Sequence, residues 1–181
     1  MVKSPKSNKK GGKAVKVNNT VAVNENLDLI YTLISSDGEQ FQADGHSLKL
    51  SKVLSLAAKC LQSTETTIHV EKVKGDTLKR VLEWCENHKD DGPYVSKCGP
   101  GLRLPHWDFR WLKSLDNQQL FDLITATNDL QMKQLMDYSC KTVANMAKGK
   151  SPEQLRQIFG ILTDEEEAEL ALNEPGPSNA N

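Results

Sequence analysis

The chain is short of the residue patterns that most chemistry needs. It has four cysteines, Cys60, Cys85, Cys98 and Cys140, and no CxxC pair among them. That spacing argues against a disulfide framework or a zinc half-site and suggests reduced thiols in a reducing intracellular compartment, with cytoplasm and nucleus as the expected location. No GxSxG, HExxH or Gly-rich phosphate loop occurs, so nothing marks a nucleophile elbow, a metalloprotease helix or a nucleotide cradle. No apolar run is long enough to span a bilayer and the N-terminus has no secretory core, so no membrane association is expected. Net charge is -1 and aromatics make up 6 % of 181 residues, which gives no global case for nucleic-acid binding.

Charge of one sign is missing locally. Residues 1–24 hold six lysines and no acid, so all 24 acids face the remaining seventeen basic residues, and the rest of the chain carries about -7. Residues 1–26 also lack large apolar side chains and cannot offset the entropy of ordering, so a disordered basic tail is expected. A second disordered tail is expected at 173–181, after Asn173-Glu174-Pro175-Gly176-Pro177.

Between the tails the patterning is clear. Leu29–Ile34 and Glu39–Ala43 read as strands joined through Asp37-Gly38, a tight-hairpin pair, and Thr66–Val70 reads as a third. Ser47–Leu61 has helical character with Ser51 as a cap. Asp76 is expected to cap a helix to about His88, in which Leu78, Val81, Leu82 and Cys85 form the apolar stripe. Residues 89–105 hold Asp91-Gly92-Pro93 and Gly99-Pro100-Gly101 and predict a long loop. A short helical turn is expected at Trp107–Leu112. Asp116-Asn117-Gln118-Gln119 is a capping box that opens another helix. From Met132 to Ile161 the pattern predicts two amphipathic helices, the first ending at Lys148-Gly149 and the second starting at the box Ser151-Pro152-Glu153-Gln154. A further box, Thr163-Asp164-Glu165-Glu166, starts the last helix. Strands and a helix followed by helices alone indicate an α+β fold.

Two chemical readings deserve weighing. Cys85, His88, Cys98 and His106 place four ligand types in one neighbourhood, but Cys85 lies on an apolar stripe, where cysteine behaves as a small hydrophobe, so no metal site is assigned. Scattered histidines and helix-start acids offer no catalytic constellation, so no enzyme and no cofactor are expected. The late helices carry Leu130, Met132, Leu135, Met136, Val143, Met146, Leu155, Ile158, Phe159, Ile161 and Leu162. This complement either completes a core or leaves an apolar face for a protein partner, a use to which methionine is well suited.

The segment from Cys140 to Phe159, CKTVANMAKGKSPEQLRQIF, resembles the C-terminal helices of the Skp family, the F-box adaptors of SCF (Skp–cullin–F-box) ubiquitin ligases. Ser35-Ser36-Asp37-Gly38-Glu39, the run from Val81 to Asp91, Pro105-His106-Trp107-Asp108 and Leu120-Phe121-Asp122-Leu123-Ile124 are similar to the same family, in order, over about residues 29–170. The resemblance implies a BTB/POZ-like α+β domain at 27–130, a small three-stranded sheet with helices, followed by F-box-binding helices at 131–172. It implies a non-catalytic adaptor in ubiquitin-dependent protein degradation, with F-box proteins and a cullin as partners. By position, Phe121, Cys140, Val143, Ala147, Leu155, Ile158, Phe159 and Leu162 would meet the F-box, and Asn128 and Asp129 the cullin. The chain departs from the family at Asp129, where an aromatic is usual, and around Ile161–Thr163, where the loop is about three residues shorter. A diverged F-box binder that engages no cullin and a self-associating BTB scaffold, a homodimer, are the alternatives.

Overall fold

The computed structural model describes residue 27 and residues 29–61, 65–96, 99 and 101–173. Residues 1–26 and 174–181 and Cys98 lie outside the described residues, as do the expectations placed on them, while Asn173, expected to open the C-terminal tail, ends the last helix.

The sheet has three strands: β1 (Ile30–Ser35), β2 (Gln40–Asp44) and β3 (Thr67–Val70), in the order β2-β1-β3. β1 pairs antiparallel with β2, Leu33 opposite Phe41, and parallel with β3, Leu33 opposite Ile68. Alternation decides which face is covered: Tyr31, Leu33 and Ser35 are buried, Thr32 and Ile34 between them are half covered, and Ile30 is exposed. Asp37-Gly38 makes the β1–β2 turn, with Gly38 at φ 86°, a conformation glycine adopts without steric cost.

Among the described residues, eight helices follow or interleave with the strands. They are α1 (Gly45–Leu48), α2 (Lys52–Cys60), α3 (Gly75–His88), α4 (His106–Ser114), α5 (Asn117–Asp129), α6 (Lys133–Ala147), α7 (Pro152–Phe159) and α8 (Asp164–Asn173). The single helix expected from Ser47 to Leu61 is two, because Ser51 leaves helical dihedrals to cap α2 with its hydroxyl on Leu54 N at 3.1 Å. Asp76 is not the cap of α3. It sits in the first turn, and the Gly75 amide is met instead by Asp37 Oδ1 at 2.9 Å, from the hairpin turn 38 residues upstream. The turn at Trp107–Leu112 is a longer helix, α4. The capping boxes at Asp116, Ser151 and Thr163 all form as expected, each with its reciprocal bond three residues on.

The core runs from the sheet through α3 to α5 and α6. Leu33, Leu78, Val81, Leu123 and Leu135 are fully buried, and Trp84, Leu112, Leu120 and Met132 nearly so. Removing such a side chain costs roughly 2–5 kcal/mol. Cys85 is part of this core, and burial pushes its thiol up to about 12. No described helix is long and apolar enough to cross a membrane.

Candidate functional site

α6 divides its apolar residues between two tasks. Its first half faces inward: Leu135, Tyr138 and Ser139 are buried, and Met132 at its N-cap is 1 % exposed. Met132 is therefore a core residue and not part of a partner-facing stripe. Further along, Cys140 is exposed, and Val143, Met146 and Ala147 are only half buried. Gly149, at φ 73°, then turns the chain toward α7.

α7 is strongly amphipathic, yet none of its residues is fully buried. Leu155, Ile158 and Phe159 are half covered, and Ile161 and Leu162 beyond it are 56 % and 41 % exposed. A ring pair and a hydrogen bond tie the helix to the body. The Phe159 ring lies 5.9 Å from the Phe121 ring of α5, and Asn117 Nδ2, at the start of α5, donates to the Ile158 carbonyl at 3.0 Å. Gly160 ends α7 in the left-handed conformation at φ 62°, with its amide and that of Ile161 both donating to the Arg156 carbonyl. The structure thus joins Phe121 to Phe159 and leaves Leu155 and Ile158 on a helix its own core does not fully cover, with Leu162 exposed in the loop just beyond it. Asn117 and Gly160 adjoin this face without being among the sequence candidates, and Ile161, one of the late apolar residues, is exposed beside it. Glycine directly after the last apolar residue of α7 was the available signal; the reach of Asn117 had none in sequence.

Asn128 and Asp129 lie seven and eight residues beyond Phe121, at the far end of the same helix, about 10–12 Å along its axis. Asn128 is exposed and Asp129 half buried. Asp129 lines a pocket of about 190 Å³ whose other walls include Val53, Leu54, Ala57, Ile68, Val70 and Leu130. The bend that follows is tied down firmly. Ser51 Oγ donates to the Leu130 carbonyl at 2.6 Å and Met132 N to the Thr127 carbonyl at 2.8 Å, while Gln131 takes a left-handed φ of 51°. That conformation is uncommon outside glycine and asparagine.

The structure also holds a buried polar cluster that motif reading did not assemble. Asp108 of α4 is 0 % exposed. Its Oδ1 accepts from Trp84 Nε1 at 2.8 Å, and its Oδ2 lies 3.3 Å from His88 Nε2. His88 Nδ1 is 2.9 Å from the Trp84 carbonyl, which can only accept, so Nδ1 carries a proton. Burial disfavours the imidazolium. The hydrogen bonds to Asp108 and to the Trp84 carbonyl, together with the charges of Asp108 and Asp91, outweigh it and hold His88 above its usual 6.5. The imidazole stacks on Trp84 at 4.1 Å and meets the edge of Trp107 at 5.5 Å. Both ring nitrogens of His88 are engaged within the protein, as are both oxygens of Asp108. What the cluster does is fasten α4 to α3. Among the described residues no group of three or more His, Cys, Asp or Glu side chains is arranged to hold a metal ion.

Comparison with known proteins places this architecture. Residues 30–90 match the Skp1 family tetramerisation domain, and residues 133–174 the Skp1 family dimerisation domain. The chain is 38 % identical over 138 residues to the E3 ubiquitin ligase complex SCF subunit sconC of Arthroderma otae, covering 74 % of this chain and 83 % of that protein. It is 36 % identical over 147 residues to the Suppressor of kinetochore protein 1 of Schizosaccharomyces pombe, covering 76 % and 91 %. The SCF subunit sconC of Aspergillus fumigatus is 37 % identical over 137 residues, with 74 % and 86 % covered. Two domain matches in order, and relatives alike over most of both chains, show that this chain belongs to the Skp1 family.

Proposed function

We propose that the chain is a non-catalytic adaptor subunit of an SCF-type E3 ubiquitin ligase, linking F-box substrate receptors to a cullin in the cytoplasm and nucleus. The observation that carries this reading is α7, an amphipathic helix with no fully buried residue, held to the body mainly through Phe121 and Asn117. An apolar helix face left uncovered marks a protein partner. The working division is a BTB/POZ-like unit over residues 27–130 and F-box-binding helices over 131–172. Phe121, Cys140, Val143, Ala147, Leu155, Ile158, Phe159 and Leu162 form the F-box side, and Asn128 and Asp129 the cullin side. Relatives named as SCF subunits support the reading.

Co-expression with an isolated F-box segment tests it: a soluble stoichiometric complex is expected, and failure across several F-boxes overturns it. One observation favours a second reading, an F-box binder that engages no cullin. Asp129 places a carboxylate in the wall of a mostly apolar pocket that also carries His69, Glu71 and Lys72, where a partner's side chain would have to desolvate it. A pull-down with a cullin N-terminal domain separates the two. Asp129→Tyr should strengthen capture if the carboxylate is the obstacle, and an unchanged result sinks that account.

A further inference from the structure

α4 is fastened by one side only. Asp108 and Leu112, 0 % and 1 % exposed, turn into the body, and the Asp108 carboxylate is taken up by Trp84 and His88. The outward side is built differently. His106, Arg110 and Lys113 stand at i, i+4 and i+7, so helical spacing lines them up in one stripe about 10 Å long. All three are exposed. The same spacing puts Phe109 along one edge of the stripe and Trp107 and Trp111 along the other.

The rings make this more than a solvated basic face. Three of the chain's ten Phe, Tyr and Trp side chains lie on these nine residues, and none of the three is fully buried, which is not the pattern of scattered single exposures. Phe109 is 47 % exposed, with the Lys113 ammonium 5.9 Å from its centroid. A ring carries no net charge, so that contact orients the cation without neutralising it. Trp107 and Trp111 are half covered and stack on each other at 5.6 Å. No carboxylate offsets the stripe from within its own segment: Asp108, the only acid between Gly101 and Leu115, is buried on the opposite side of the helix. Neither Arg110 nor Lys113 forms an ion pair among the described residues.

A stripe of cations between aromatic edges is complementary to a segment with carboxylates along its middle and apolar side chains beside them. Arg110 offers a planar fork to one carboxylate and Lys113 a point charge to another. A single-stranded nucleic acid would also use rings and cations. The stripe spans only two turns, however, and the chain beyond residue 24 carries about -7, which repels a longer polyanion. A short acidic segment meets the stripe without that penalty.

We propose that the outward face of α4 is a docking site for a short acidic segment of a protein partner, with carboxylates over Arg110 and Lys113 and an apolar side chain against Phe109. The site is distinct from the α7 face and from Asp129, and it stands whether or not the chain serves an SCF ligase.

The test is a selection of displayed peptides of about a dozen residues on the full chain, with counter-selection on Arg110→Glu/Lys113→Glu. Arg110, Lys113 and Phe109 are exposed, so the variants should keep the parent's circular dichroism and melting curve. If the charge reversal shifts either, Arg110→Gln/Lys113→Gln takes its place, with a loss of about threefold in affinity. Enriched peptides should hold two or more Asp or Glu together with an aromatic or aliphatic residue. Their affinity, read by fluorescence polarisation, should fall at least about tenfold in the charge-reversed variant and about threefold in Phe109→Ser, and should weaken as salt is raised. No enrichment, enriched peptides without acids, or equal binding to the charge-reversed chain overturns the proposal. So does an unchanged affinity in Phe109→Ser, since charge alone would then account for the binding. Tighter binding of oligo(dT) or of phosphatidylserine vesicles than of any peptide would make the face a nucleic-acid or membrane site and refute it. Concentration-dependent self-association abolished by the charge reversal would make a second copy, through the acids of its α8, the occupant and equally refute it.

Discussion

Replacing Asp108 by asparagine should reverse the sign of this protein's pH dependence near neutrality. In the parent, His88 Nδ1 donates to the Trp84 carbonyl and Nε2 faces the Asp108 carboxylate, so the imidazolium satisfies both contacts while the neutral ring turns a lone pair toward a carboxylate oxygen. The folded pKa is raised above the ordinary 6.5. The folded state therefore binds more protons than the unfolded one in that window. This stabilisation is complete below about pH 6.5 and is lost as pH rises through the folded value, with a limiting slope of about 1.4 kcal/mol per pH unit for one proton. In Asp108→Asn, Trp84 Nε1 can only donate, so the amide oxygen must face it and the amide NH2 must face His88 Nε2. That arrangement needs a neutral ring. Protonation would set N–H against N–H, so the folded pKa falls and stability is lost as pH drops below about 6.5. Asp91, 3.9 Å from Nε2 and half exposed, pulls weakly the other way. Urea unfolding followed by tryptophan fluorescence between pH 5.5 and 8 measures both slopes. Asp108→Ala should cost more, about 3–5 kcal/mol or ~6–20 °C in Tm, because it strands a buried indole N–H and, below the folded pKa of His88, a buried cation. If Asp108→Asn keeps the parent's slope, the protonation scheme for His88 is wrong.

Three other outcomes follow from the packing. Phe159→Ala should reduce folding stability by only about 1 kcal/mol, since the ring is half covered, yet cut F-box affinity at least about tenfold by calorimetry. Equal losses in the two measurements would make α7 a core helix. Ser51→Ala removes both the α2 cap and the bond to the Leu130 carbonyl and should cost roughly 2–3 kcal/mol in urea titrations; a loss under 0.5 kcal/mol, on the order of a neutral surface change, would show the bend does not depend on it. Ser139 Oγ is buried without a hydrogen-bond partner among the described residues, so Ser139→Ala should be neutral or stabilise by up to about 1 kcal/mol, and a clear destabilisation would reveal a partner for that hydroxyl.

What could be read in the chain before folding was whatever residues a few positions apart decide. The three capping boxes close between positions three apart, the Asp37-Gly38 turn between neighbours, and the strand alternation has period two, so all were legible. The resemblance supplied the candidate faces, and the fold joins Phe121 with Phe159 and sets Asn128 and Asp129 at the other end of α5. Tertiary structure alone decided the rest, because the partners are far apart in sequence and no local pattern selects among many donors and acceptors. Asp37 meets Gly75 across 38 residues, Ser51 meets Leu130 across 79, and Asp108 meets His88 and Trp84 across 20 and 24. The same holds for the inward turn of Met132. A helix stripe states that a face is apolar, but only packing chooses which half of α6 is buried and leaves α7 open.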